Sequence, residues 1–224
     1  MNKTPWIFIL PIVLVGIIAG LLIFIFSGDI FSVEYPIEGT WKVLSFVQGG
    51  QTREFENTYY VFDDEKFTRY DNGEVKDTGS YELKFDILSM ENNEEDYYLK
   101  KLTENIISFE IKNFELGNGY FYFLRVENME KPTINPDLLL GEWTVTCHAG
   151  GIENLNEKLI FDDKKVDFYR NDMSKPAATS TYGFEGEEIS VPSLNIVMKP
   201  KLLTDKYYVF IEKSNSLVWE LMRA

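Results

Sequence analysis

The sequence predicts a mainly β protein: one N-terminal transmembrane α-helix followed by two tandem small antiparallel up-and-down β-barrels, each of roughly eight short strands. Three observations carry this expectation. Residues 6–26 are apolar and uncharged, a motif series recurs about a hundred residues further on, and many short β-branched and aromatic runs are separated by tight-turn residues.

At about 1.5 Å rise per residue, a helix over 6–26 would cover about 31 Å, the thickness of one bilayer core. A cleaved signal peptide is the rival reading, because Lys3 precedes the run. Secretory apolar regions are shorter, typically about 7–15 residues. No small-x-small cleavage pattern stands out after Phe26, and no cysteine follows the run that a lipoprotein anchor would need. The segment therefore reads as an uncleaved signal-anchor. Gly16 and Gly20 form a small-xxx-small pair of the kind that pairs helices, although this spacing arises often by chance. Lys3 before the span, against Asp29 and Glu34 after it, orients residues 1–5 to the cytoplasm. The rest of the chain is then expected in the periplasm or outside the cell, behind a stalk at 27–36.

Beyond the stalk the chain repeats itself. Gly39-Thr40-Trp41-Lys42-Val43 is echoed by Gly141-Glu142-Trp143-Thr144-Val145. Phe62-Asp63-Asp64 answers to Phe161-Asp162-Asp163, Tyr70 to Tyr169, and Tyr81 to Tyr182. The offsets are 102, 99, 99 and 101 residues. Such small drift fits loop insertions between shared elements, so residues 37–126 and 139–224 are expected to be two copies of one domain. Between them, 127–138 holds Pro132 and Pro136 and little apolar periodicity, as a stiff linker would.

In the first copy, strand-like runs fall at 40–47, 58–62, 66–70, 80–85, 86–90, 97–101, 106–111 and 120–126. The second divides likewise into 142–148, 158–161, 165–169, 180–184, 187–191, 195–199, 207–212 and 217–222. Asn72-Gly73, Asn118-Gly119 and Glu185-Gly186 supply turn chemistry. Strands joined by tight hairpins must expose sheet edges or close, and eight of them can close into a barrel with a small interior.

Charge excludes some partners. Residues after Gly28 carry all 36 acidic side chains and 21 of the 22 basic ones. Such a surface repels phosphate backbones, so nucleic acid is not an expected partner, and no polybasic membrane patch exists. Cys147 is the only cysteine, so packing must stabilise the domains without an intramolecular disulfide. His148, the only histidine, is its neighbour; on a strand the two point to opposite faces and do not converge on a metal or on a nucleophile–base pair.

A Gly-x-Trp opening the first strand of an up-and-down barrel resembles the lipocalin and wider calycin pattern. Gly39-Thr40-Trp41 and Gly141-Glu142-Trp143 both fit, and Arg125 and Arg223 stand where that pattern places a final-strand arginine across the tryptophan. The copies look like compact bacterial lipocalin-like domains, which often open with Gly-Thr-Trp-Lys and continue to a Phe-Asp-Asp turn, over roughly 37–126 and 139–223. The resemblance implies that Gly39, Trp41, Arg125, Gly141, Trp143 and Arg223 close one end of each barrel. It also implies narrow barrels, because each copy is shorter than a full lipocalin and has no place for its C-terminal helix.

Other residues read plainly. Asp63-Asp64 and Asp162-Asp163 lack the spaced oxygens of a calcium loop and are expected to form turns. Phe121-Tyr122-Phe123, Tyr59-Tyr60, Tyr97-Tyr98 and Tyr207-Tyr208 put aromatics on both strand faces, so a second apolar interface is expected, between barrels or with a partner. No triad, phosphate loop or metal-spaced Cys/His cluster stands out, and neither an enzyme nor a cofactor is expected. The leading expectation is a tethered bacterial envelope protein whose barrels bind a small apolar ligand. The alternative is a non-catalytic interaction protein with solid barrels contacting another envelope component.

Overall fold

The computed structural model describes residues 37–112, 115, 117–130, 134–148, 156–171, 174–214 and 217–224. The apolar run at 6–26 and the stalk at 27–36 lie outside the described residues, among which no helix is long and apolar enough to cross a membrane.

The first barrel is built from Gly39–Gln48 (β1), Gln51–Glu54 (β2), Thr58–Asp63 (β3), Lys66–Asp71 (β4), Glu74–Lys84 (β5), Ile87–Met90 (β6), Tyr97–Lys101 (β7), Ile106–Ile111 (β8) and Gly119–Val126 (β9). All neighbours are antiparallel, and pairing of β1 with β9 closes the ring. β2 is an extra strand on the far half of β1, from Ser45 to Gln48.

The second barrel comprises Gly141–His148 (β10), Glu157–Phe161 (β11), Lys165–Arg170 (β12), Ala178–Thr181 (β13), Gly183–Glu185 (β14), Glu188–Val191 (β15), Ile196–Leu203 (β16), Tyr207–Glu212 (β17) and Leu217–Arg223 (β18). Its sheet runs from β13 round through β10 and β18 to β14, and Tyr182 alone separates β13 from β14. The backbone itself thus closes this ring. β5 makes the same handover unbroken, pairing with β4 as far as Ser80 and with β6 from Tyr81. Both handover tyrosines pack edge-on to the phenylalanine of the Phe-Asp-Asp turn: Tyr81 on Phe62 at 5.1 Å, Tyr182 on Phe161 at 5.3 Å. A register shift recurs too, between Val43 and Ser45 and between Val145 and Cys147.

The strand boundaries differ from expectation where pairing, not side-chain pattern, makes the strand. β2 and the first half of β5 are mostly polar and exposed, yet their backbones complete ladders with β1 and β4. The hairpin turns follow their φ requirements. Asp64-Glu65 and Asn72-Gly73 have positive φ at both central residues, as type I′ turns need. Phe85, at φ 59°, is a bulky residue in a region that costs about 1–2 kcal/mol for a non-glycine side chain.

Each barrel has its own core. Trp41, Phe62, Phe67, Phe109 and Phe123 centre the first; Trp143, Phe161, Tyr208, Phe210 and Leu221 centre the second. A third apolar cluster joins the barrels. Leu44, Ile106 and Leu124 on the outer faces of β1, β8 and β9 meet Cys147, Val209, Ile211 and Val218 on β10, β17 and β18, with Tyr122 packed alongside. Glu220, buried in this interface, accepts from Asn105 Nδ2 at 2.9 Å and Thr146 Oγ1 at 2.8 Å. At its edge, Lys199 Nζ lies 3.1 Å from Glu54 Oε2. Outward aromatic and aliphatic side chains on these strands are therefore used by the barrel–barrel contact.

Candidate functional site: the two barrel ends

Each barrel has a plugged end and an open end. At the plugged end, Trp41 and Trp143 are almost fully buried, and their Nε1 atoms donate to the carbonyls four residues earlier, Ile37 O at 2.6 Å and Leu139 O at 2.7 Å. The Arg125 guanidinium lies 5.6 Å over the Trp41 ring and that of Arg223 4.4 Å over Trp143, distances at which the ring quadrupole attracts a cation. Arg125 Nη2 donates to Glu38 O at 2.9 Å. Arg223 is held more fully: Nε donates to Asp205 O at 2.7 Å, Nη1 to Leu140 O at 2.9 Å, and Nη2 to Leu138 O.

The glycine of each Gly-x-Trp has two reasons to be glycine. Gly39 and Gly141 adopt φ of 122° and 125°, where a side chain is strained. A Cβ would also stand 3.4 Å from Arg125 Nη2 at Gly39, and 2.8 Å from Arg223 Nη1 at Gly141. Because Arg223 is pinned by three carbonyls, Gly141→Ala is expected to destabilise the second barrel by more than about 1 kcal/mol. Gly39→Ala is expected to cost the first barrel less, and urea unfolding of the two variants checks the order.

The open end of the first barrel is a recess of about 290 Å³. Val43, Tyr60, Phe67, Met90 and Phe121 form its apolar wall, and Arg53, Arg69, Asp77 and Glu91 its charged rim. Burial pushes the Tyr60 hydroxyl up to about 12, so it stays a neutral donor. Arg69 Nη2 donates to Asp71 Oδ2 at 2.7 Å, and Asp77 faces Arg69 across the β4–β5 pair. Arg53 stacks over Phe55 at 5.1 Å. The Ser80 N–H and hydroxyl each donate to Glu91 Oε2 at 2.9 Å and hold its carboxyl below the usual range. Behind this recess the aromatic interior leaves only about 40 Å³, between Phe62, Phe109 and Phe123.

The second barrel is hollower inside. A cavity of about 140 Å³ is lined by apolar side chains, among them Leu159, Val166, Val191, Met198, Phe210 and Trp219. Toward its open end His148 packs against Trp219, ring centroids 3.9 Å apart and the planes tilted by 53°. Glu157, 2% exposed, accepts from Arg170 Nε at 2.6 Å, while its Oε2 is buried without a partner among the described residues.

The structure brings Gly39 to Trp41 and Arg125, and Gly141 to Trp143 and Arg223. It separates Cys147 from His148: the thiol lies in the inter-barrel cluster, where burial pushes it up to about 12, and the imidazole faces Trp219. The acidic pairs make turns; Asp162 Oδ1 accepts from the Lys164 and Lys165 N–H groups at 2.9 and 2.7 Å. Sequence reasoning missed the open-end residues. One signal was there: of five arginines, two cover the tryptophans and the other three, Arg53, Arg69 and Arg170, all fall near open ends.

Residues 37–109, about a third of the chain, match the family model of a lipocalin-like domain. No curated protein and no solved structure matches the chain significantly.

Proposed function

We propose that this chain is a membrane-tethered protein of the bacterial envelope that takes a small apolar ligand into its lipocalin-like barrels. The match over 37–109 covers most of the first barrel, and the repeated plug geometry supports reading the second as a copy. The observation that carries ligand binding is a pair of spaces: the recess of about 290 Å³ in one barrel, with an aromatic and aliphatic wall under a charged rim, and the apolar cavity of about 140 Å³ in the other. An engineered apolar void of about 150 Å³ takes up benzene, so the second barrel has room for one ring and the first for two. Drug-sized ligands need about 300–1,000 Å³ and fit neither of these two spaces.

Calorimetric titration of toluene and naphthalene into the full-length chain in nanodiscs, against empty nanodiscs, tests this. Saturable binding of both is expected, with Val191→Phe abolishing the toluene site and Met90→Trp the naphthalene site. Absence of saturable binding by either compound would overturn the ligand reading and leave the second one. In that reading the barrels are solid and their surfaces contact another envelope component, which the nearly filled interior of the first barrel favours. Placement is checked separately. Protease added outside intact cells or spheroplasts is expected to cut the barrel region, and full protection would overturn an extracytoplasmic location.

A further inference from the structure

The β5–β6 hairpin turns through Phe85 and Asp86, between the paired residues Lys84 and Ile87. Of the two turn residues only Phe85 has positive φ, the pattern of a type II′ turn, whose first central position favours glycine. The second barrel obeys that preference at the equivalent β14–β15 hairpin: Gly186, at φ 67°, stands between the paired residues Glu185 and Glu188. Phe85 therefore occupies a position where chain folding favours no side chain, and its ring gains little packing there, because the residue is 65% exposed. The internal copy shows that the turn forms without it.

The place of this ring in the fold points to what it contacts. β5 runs from the open end, where Glu74 pairs with Asp71, past Ser80, which pairs with Lys66 midway and holds the rim residue Glu91, on to Lys84 toward the plugged end. Tyr81 N then donates to Glu65 O, and Tyr81 feels the charges of Glu38, Asp63 and Asp64. Phe85 lies four residues beyond, at the end of the barrel where Ile37 and Glu38 enter. Only residues 27–36 separate Ile37 from the apolar run ending at Phe26. Ten residues reach at most about 36 Å, so the plugged end stays close to whatever surface holds that run.

We propose that Phe85 is a lipid-contact residue whose ring enters the interfacial layer of the bilayer that anchors residues 6–26, docking the first barrel with its plugged end toward the membrane. This rests on the tethered reading above. The tether raises the local concentration of the bilayer, so one aromatic anchor suffices to bias orientation. Asp86 adjoins Phe85, and Asp63, Asp64 and Glu65 lie beside Tyr81 at the same end, so the matching surface is zwitterionic, and anionic headgroups oppose the contact.

The test is brominated-lipid quenching of Phe85→Trp in the full-length chain in phosphatidylcholine nanodiscs, with the unsubstituted chain measured in parallel to subtract its four native tryptophans. Val75→Trp, at an exposed site beside the open-end β4–β5 turn, serves as the orientation control. Added quenching and a blue shift are expected for Phe85→Trp, little of either for Val75→Trp, and a smaller effect when a third of the lipid is phosphatidylglycerol. Equal quenching at both sites, or none at Phe85→Trp in chains that remain lipid-bound, overturns the docking. Recovery of the chain free of lipid overturns the tether as well, which separates the two failures.

Discussion

Trp143→Ala is expected to unfold the second barrel at temperatures where the parent chain is fully folded. Trp143 has no exposed surface, packs edge-on to Tyr208 at 6.0 Å, and donates to Leu139 O. Removing such a ring costs about 3–5 kcal/mol in lost contacts and cavity, a large share of the 5–15 kcal/mol that holds a typical domain. The substitution also leaves Arg223 above a void instead of a ring, so its three carbonyl bonds lose their base. Near-ultraviolet circular dichroism during urea unfolding measures this. A midpoint within experimental error of the parent would show that the indole does not hold the barrel shut.

Leu124→Asp is expected to separate the barrels without opening either one. Leu124 lies on the outer face of β9 with no exposed surface, inside the cluster that includes Val209, Ile211 and Val218. Lys42, opposite Leu124 in the β1–β9 pair, offsets only part of the several kcal/mol that desolvating a carboxylate there costs, so parting the two faces is the cheaper response. Glu220 would then regain water, and its bonds from Asn105 and Thr146 would no longer need to hold a charge in an apolar contact. The parent chain is expected to melt in one calorimetric transition and the variant in two. A single unshifted transition in the variant would mean that the contact survives the charge and that the barrels do not part.

Alternation along the chain was enough to place most strands. Residues 97–101, 106–111 and 207–212 read as strands from their β-branched and aromatic content, and β7, β8 and β17 have those bounds. Asn72-Gly73 read as a hairpin because only such residues suit two positive φ values in succession. Strands lacking that content were not legible: β2 and residues 74–79 are polar, and β16 continues past Pro200 through a register shift that no local pattern announces. The open-end recess was hidden for a different reason. Arg53, the Arg69–Asp77 pair of the β4–β5 hairpin and Tyr97 come from separate stretches of chain, and nothing in their spacing says that they share one rim.

The chain's own order of residues specified two rings of antiparallel strands and the Gly-x-Trp segments that open each of them, because both depend on backbone preferences acting within a few residues. How much empty space each ring encloses came only from the folded arrangement. Phenylalanines from β3, β8 and β9 converge to fill the first interior, whereas Leu, Val and Met side chains leave a cavity in the second. Interior volume is the sum of side chains contributed by strands far apart in sequence. The contact between the barrels has the same origin: the outer faces of β1, β8 and β9 become an interface only once β10, β17 and β18 present a matching apolar surface to them.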